Sequence, residues 1–206
     1  MTDMREAIGS DLIACKAAFD KVEIPWVIVG GVVLGYARYK DIMPWDTDLD
    51  VGIYTEINDV QWQSLIFTLR TKGFRIDGEK KDFTYAYRAT ELNIDTYHKD
   101  GEFYYCFPKS TPGLKFVEKA KWFDDIQIVD FIGDKYPIPN YIEDFVSAHY
   151  GIDWETNIIK DHKQYFADKR GSRDQKTWTT SRVGKHGDLW PKILDINDSM
   201  GEDNAI

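Results

Sequence analysis

Three aspartates at every second position, Asp46, Asp48 and Asp50, close a stretch that opens Trp26-Val27-Ile28-Val29-Gly30-Gly31 and runs through Arg38 to Tyr54. An extended chain sends alternate side chains to one face. These carboxylates therefore share a face and repel one another unless a cation lies between them. Hard oxygens in such a set suit Mg²⁺ or Mn²⁺. Two such ions, about 3.5–4 Å apart, stabilise both the attacking and the leaving oxygen of an in-line displacement at phosphorus. A further acid, Asp95, stands in the alternating segment Leu92-Asn93-Ile94-Asp95-Thr96-Tyr97, on the side of Asn93 and Tyr97. Brought in from a neighbouring strand, Asp95 completes the carboxylate set and is the natural group to receive a proton from an attacking hydroxyl. The expected metal ligands and catalytic groups are thus Asp48, Asp50 and Asp95. An Asp-rich turn capped by Asp46 is the plainer alternative, and it needs three coaligned acids, a Gly-Gly turn and Arg38 to fall together by coincidence.

Known phosphate and metal loops fail on register. Val32 occupies the second glycine position of a dinucleotide fingerprint, and no Gly-Lys-Ser/Thr follows to make a P-loop. Asp46, Asp48 and Asp50 match the first three ligand positions of an EF-hand, but Val51 stands where its glycine is required and Ile57 where its closing glutamate falls. What remains is a glycine corner that lets the backbone approach a ligand, followed by a helix over 32–39 whose unpaired N–H groups attract phosphate. Gly30, Gly31, Arg38 and Asp46 are the expected substrate-binding residues, the guanidinium meeting phosphate oxygens.

The elements that position these groups are legible as periodicities. Ile8, Leu12, Cys15 and Phe19 recur at helical spacing within 4–21. Residues 23–29 form a short apolar strand with Pro25 confined to its start. Val60, Trp62, Leu65, Ile66 and Leu69 predict a helix over 59–72, ended by Gly73. From Phe74 the pattern is of antiparallel strands over 74–76, 83–88, 92–97 and 103–107, separated by turns such as Asp77-Gly78 and Asp100-Gly101. Pro108 to Gly113 reads as a loop, 114–117 and 126–131 as further strands. The paired prolines of Tyr136-Pro137-Ile138-Pro139-Asn140 read as a break, and Asn140 as the cap of a helix over 141–150. This is an α+β pattern, a mixed sheet with flanking helices.

Composition bounds the rest. A 206-residue chain with 43% hydrophobic and 15% aromatic residues can bury a sizeable core. A net charge of −9 argues against nonspecific nucleic-acid or anionic-membrane binding. Cys15 and Cys106 are too few for a disulfide framework or a thiolate zinc site. No run reaches a membrane span and the first residues lack a signal-peptide pattern, so the sequence predicts a soluble, cytoplasmic protein. A catalytic domain is expected over 1–154 and an extension over 155–206, its last residues loose. That extension holds nine Lys or Arg against four Asp between Lys160 and Lys192, a basic island suited to a phosphorylated or acidic ligand or simply a solvated surface.

Gly30-Gly31, Leu34-Gly35, Arg38 and Met43-Pro44-Trp45-Asp46-Thr47-Asp48-Leu49-Asp50 together resemble the signature of the LicD and fukutin-related phosphotransferases, which have the nucleotidyltransferase fold. Asn93-Ile94-Asp95 is similar to that family's later carboxylate strand, and Tyr136 to Trp154 to its closing helix. The resemblance implies transfer of a phospho-alcohol group, such as phosphocholine or ribitol phosphate, from a CDP-activated donor to a sugar or glycan hydroxyl. It implies Mg²⁺ on Asp48 and Asp50, donor phosphates on Arg38, and a supporting role for Asp46. Nucleoside monophosphate transfer from an NTP would use the same apparatus, and a noncatalytic nucleotide- or glycan-binding module would retain the same pocket. A glycosyltransferase with an Asp-x-Asp site leaves Gly30-Gly31 unexplained.

Overall fold

A computed structural model of the chain describes residues 4–107, 116–152 and 154–156. The loop read at 108–113, the basic island and most of the extension lie outside the described residues. The chain divides into two units, Met1–Val146 and Ser147–Ile206. Helix α4 (Ile142–Tyr150) runs across that division. Within the second unit, Gly151 follows the helix at φ 98° and donates its N–H to the Ser147 carbonyl at 3.0 Å, the left-handed termination that glycine favours.

In the first unit, helix α1 (Met4–Val22) buries Ile8, Leu12, Cys15 and Phe19 completely, as their spacing predicts. Strand β1 (Trp26–Val29) is followed without a gap by α2 (Gly30–Tyr39). The sequence placed a turn at Gly30-Gly31 ahead of a helix at Val32; the structure instead makes the corner in one residue. Val29 is extended and Gly30 takes φ 68°, a left-handed conformation that glycine adopts without Cβ strain. Strand β2 (Asp48–Ile53) follows, then α3 (Asp59–Thr71). The start of α3 is fixed by reciprocal bonds between Asn58 and Gln61, the capping-box arrangement.

Strands β3 (Arg75–Glu79), β4 (Phe83–Tyr87) and β5 (Glu91–Thr96) complete a five-stranded sheet in the order β1-β2-β5-β4-β3. All neighbours are antiparallel except β2 and β5, which run parallel. Pairing register assigns every side chain to a face. Ile28, Leu49, Val51, Ile53, Ala86, Leu92 and Ile94 lie on one face and are buried, with the Phe19 ring of α1 stacked on Trp26 at 5.1 Å and α3 packed beside α1. The other face carries Asp48, Asp50 and Gly52 from β2, Glu91, Asn93 and Asp95 from β5, and Phe83, Tyr85 and Tyr87 from β4.

One end of that second face is covered. A smaller sheet of β6 (His98–Asp100), β7 (Phe103–Cys106) and β8 (Phe116–Lys119) follows β5. With a 3₁₀ turn at Ala120–Trp122 and the start of α4, it builds an aromatic cluster in which Phe123 meets Tyr97 at 5.0 Å, Tyr104 at 5.5 Å and Phe145 at 6.4 Å. The Tyr97 ring lies over Gly52, where an added Cβ would come within 2.6 Å of it. Strands β9 (Gln127–Phe131) and β10 (Asp134–Ile138) form a separate hairpin, with β10 against β1.

Strand β10 was not expected, because Pro137 and Pro139 read as a break. Among the described residues β9 is its one hydrogen-bonded partner strand, so a missing N–H is tolerated on the other side. The two-residue turn, Ile132-Gly133, has φ 48° and 79°, as a type I′ hairpin demands.

Candidate active site

The site assembles where β1 ends, α2 starts and β2 pairs with β5. Asp48 and Asp50 project from β2 on the face opposite the core, as their alternation predicts. Directly across the parallel pair, Asp50 faces Asn93 and Asp48 faces Glu91. The Asn93 amide donates from Nδ2 to Asp50 Oδ1 at 2.9 Å and, more weakly, to Asp48 Oδ2 at 3.4 Å. Asp95 shares this face but pairs with Gly52, one step beyond Asp50. Among the described residues no three His, Cys, Asp or Glu side chains converge as a metal site. The structure thus unites Asp48 and Asp50 tightly, and sets Asp95 one strand step farther along with Asn93 in between.

The glycines act on the carboxylates. A Cβ on Gly30 would lie 2.2 Å from Asp50 Oδ2, and one on Gly31 would lie 2.7 Å from Asp46 Oδ2. Hydrogen at these two positions is what lets Asp46 and Asp50 close onto the first turn of α2. A negative group there is also favoured by the helix dipole.

Asp46 is 8% exposed; its Oδ1 accepts the Thr47 N–H at 3.2 Å, while Oδ2 is buried without a hydrogen-bond partner. Burial first, and then the charges of Asp48 and Asp50, push its carboxyl up to about 7. Asp48 is also raised, by burial and then by Glu91. Tyr85, opposite Asn93 on β4, is pushed up to about 12 by burial and by Asp95, Glu91 and Asp50. Its hydroxyl is held as a neutral donor facing the acids.

Arg38 sits in the last turn of α2, about 12 Å along the helix axis from Gly30 at 1.5 Å per residue. Its Nη1 lies 4.0 Å from Met43 Sδ. The two predicted phosphate contacts, the glycine corner and Arg38, are therefore at opposite ends of one helix.

The donor set fits a hard divalent ion in its chemistry. Two carboxylates on one face and a third acid with an orphaned buried oxygen offer hard oxygen ligands, with the like-charge crowding that a cation relieves.

Two residues at or beneath the site escaped sequence reasoning. Asn93 stands on the Asp95 side of the alternating segment, but its position opposite Asp50 is a matter of strand register. Asp11, fully buried in α1, accepts from Arg88 Nη1 at 2.8 Å, from the Ala89 and Thr90 N–H groups and from the Thr90 hydroxyl. It grips the β4–β5 turn immediately before Glu91, Asn93 and Asp95. A carboxylate on the apolar stripe of α1, one residue from Leu12, was the available signal.

The family model described as "LicD/FKTN/FKRP, nucleotidyltransferase domain" matches residues 23–141. An uncharacterized protein of Rickettsia typhi, RT0683, is 32% identical over 80 residues, which are 39% of this chain and 25% of that protein. The match spans about a quarter of that relative's length. Among solved structures, the lincomycin-bound lincosamide antibiotic adenylyltransferase LnuA is similar at 14% identity and a TM-score of 0.46, over 77% of this chain and 92% of that one. ANT(2″)-Ia in complex with adenylyl-2″-tobramycin is similar at 14% identity and a TM-score of 0.45, over 93% and 95%. No helix among the described residues is long and apolar enough to cross a membrane. With the family model spanning β1 to the approach of α4, and so the whole carboxylate face, the chain belongs to the LicD/FKTN/FKRP family and carries its nucleotidyltransferase domain.

Proposed function

We propose that this chain is a metal-dependent transferase that moves a phospho-alcohol group, such as phosphocholine or ribitol phosphate, from a CDP-activated donor to a sugar hydroxyl. The observation that carries this reading is the Asp48–Asp50 pair on one strand face, with Gly30 lacking the Cβ that would displace Asp50, inside a family domain that covers both. Asp48 and Asp50 would hold Mg²⁺ or Mn²⁺, which when bound neutralises donor phosphate oxygens and makes the phosphorus a better electrophile. The N–H groups of the first turn of α2 and the Arg38 guanidinium serve the donor phosphates from the two ends of that helix. Asp95 takes the proton of the acceptor hydroxyl as its oxygen bonds to phosphorus and the bond to the CMP oxygen breaks. Tyr85, kept protonated, donates a hydrogen bond into the same face. Asp46, buried beside Gly31, backs the pair as a supporting group.

The test is product identity. With Mg²⁺ and a panel of CDP-alcohols and nucleoside triphosphates, CMP release is expected, and Asp48→Ala and Asp50→Ala are expected to abolish it. Pyrophosphate release instead would replace this reading with nucleoside monophosphate transfer. Binding with no turnover across a broad acceptor panel would make the chain a binding module.

A further inference from the structure

The Asn93 amide combines two facts that do not usually go together. Its NH₂ end is committed to Asp50 and Asp48, while its Oδ1 end is buried and has no hydrogen-bond partner. A buried amide oxygen left unpaired is costly, so this orientation persists because the other end gains more. The gain is electrostatic. Two carboxylates on one strand face need positive charge between them, and the amide hydrogens are the positive charge that Asn93 supplies.

The backbone of Asn93 has no freedom to leave. Strand β5 lies between β2 and β4, with Asn93 in register with Asp50 on one side and Tyr85 on the other. Its side-chain χ2 torsion is soft and roughly two-fold, and the amide is nearly isosteric with itself when turned over. Turning costs no bond at Oδ1, since there is none to lose.

We propose that the Asn93 amide is a reversible stand-in for the cation at the Asp48–Asp50 pair: its NH₂ bridges the two carboxylates in the cation-free protein, and it turns over to present Oδ1 toward a bound cation. This rests on the metal-dependent reading above. An NH₂ group facing a divalent ion is repelled by it, whereas a carboxamide oxygen is a hard ligand of the type such ions take. Asn93 rather than Asp95 is then the first β5 group that a cation on Asp50 meets, and Asp95 keeps the proton-accepting role proposed above. A neutral amide here also explains how the pair survives without metal, since an acid at position 93 would add a further charge to the cluster.

The experiment follows the side-chain amide itself in the full chain. In a ¹H–¹⁵N spectrum, titration with Mg²⁺ is expected to move the Asn93 Nδ2 proton pair as it gives up its carboxylate acceptors. By Mn²⁺ electron paramagnetic resonance, Asn93→Leu is expected to bind about tenfold more weakly or worse. Asn93→Asp should bind at least as tightly as the wild type, yet melt at a lower temperature without metal. An unmoved Asn93 amide signal at Mg²⁺ saturation, or wild-type Mn²⁺ affinity in Asn93→Leu, would overturn the inference. Should Asn93→Leu fail to fold, the amide titration on the wild-type chain decides alone. Asp50→Asn separates the two claims: if it binds Mn²⁺ like the wild type, or if the wild type binds none, the metal reading itself falls. If Asp50→Asn loses Mn²⁺ while Asn93 stays silent, only the role of Asn93 falls.

Discussion

Asp11 and Asp46 are both buried aspartates, and they meet burial in opposite ways. Asp11 is enclosed by an arginine, two backbone N–H groups and a hydroxyl, both of its oxygens engaged. Asp46 has a single backbone N–H on one oxygen, nothing on the other, and two carboxylates in its own segment. A charge that has been fully paired by the fold is there to hold the fold. A charge left short of partners, beside a helix start cleared of side chains, is the kind of group that the proposed cation site would draw on. Asp144 belongs with Asp11: Lys121, Lys119 and the Trp122 indole N–H meet it at 2.8, 3.2 and 2.9 Å.

One substitution applied in both regions gives the sharpest contrast. Asp50→Asn is expected to lower transfer about a thousandfold or more, roughly 4 kcal/mol of barrier, while the urea midpoint stays within error of the wild type. Asp11→Asn is expected to do the reverse, losing about 3 kcal/mol of stability because Arg88 is left beside a neutral group, with turnover per folded molecule retained. If Asp11→Asn left the urea midpoint unmoved, the division between structural and functional aspartates would collapse. Gly30→Ala tests the boundary between the regions. Its positive φ costs about 1–2 kcal/mol, and the new methyl group displaces Asp50, so a modest fall in melting temperature should come with loss of Mn²⁺ binding. A variant that melts lower but still binds Mn²⁺ would show that the cleared helix start is only a turn.

The smallest effect concerns acid. Burial raises Asp144, but Lys121, Trp122 and Lys119 outweigh it and hold the carboxyl at about 2. Its folded value thus lies below the unfolded one, so its contribution is present above about pH 4 and is lost as pH falls through about 2. The group is partly solvated, so Asp144→Asn should cost under about 1 kcal/mol at pH 7. It should also flatten the acid limb of the stability curve, which thermal melts from pH 2 to 7 read directly.

What the sequence disclosed and what it concealed follow one rule. Period-two alternation put Asp48 and Asp50 on one face, and helical spacing put Ile8, Leu12, Cys15 and Phe19 on another; both are properties of a single element. Strand pairing is a property of two. Whether Asn93 or Asp95 stands opposite Asp50 depends on a two-residue step in a β2–β5 register that local pattern does not encode. Gly30-Gly31 were legible as a corner, but that their missing side chains make room for Asp46 and Asp50 required the fold. Strand β10 stayed hidden behind its prolines, and its turn gave no signal either, because Ile132, a β-branched residue, occupies a left-handed position where Asn or Gly is usual.

The parallel pairing of β2 with β5 also sets the order in which the molecule acquires its chemistry. Asp50 and Asn93 are 43 positions apart, and α3, β3 and β4 all intervene. Closing such a loop is an entropic cost that local contacts do not offset, so this pairing belongs to the slow, late part of folding. A nascent chain that has made α1, β1 and α2 has its glycine corner but no acid pair across from an amide. The acid–amide face and the completed sheet therefore arrive together, and a partly folded copy of this protein has the glycine corner of the proposed site without its carboxylate pair set against Asn93.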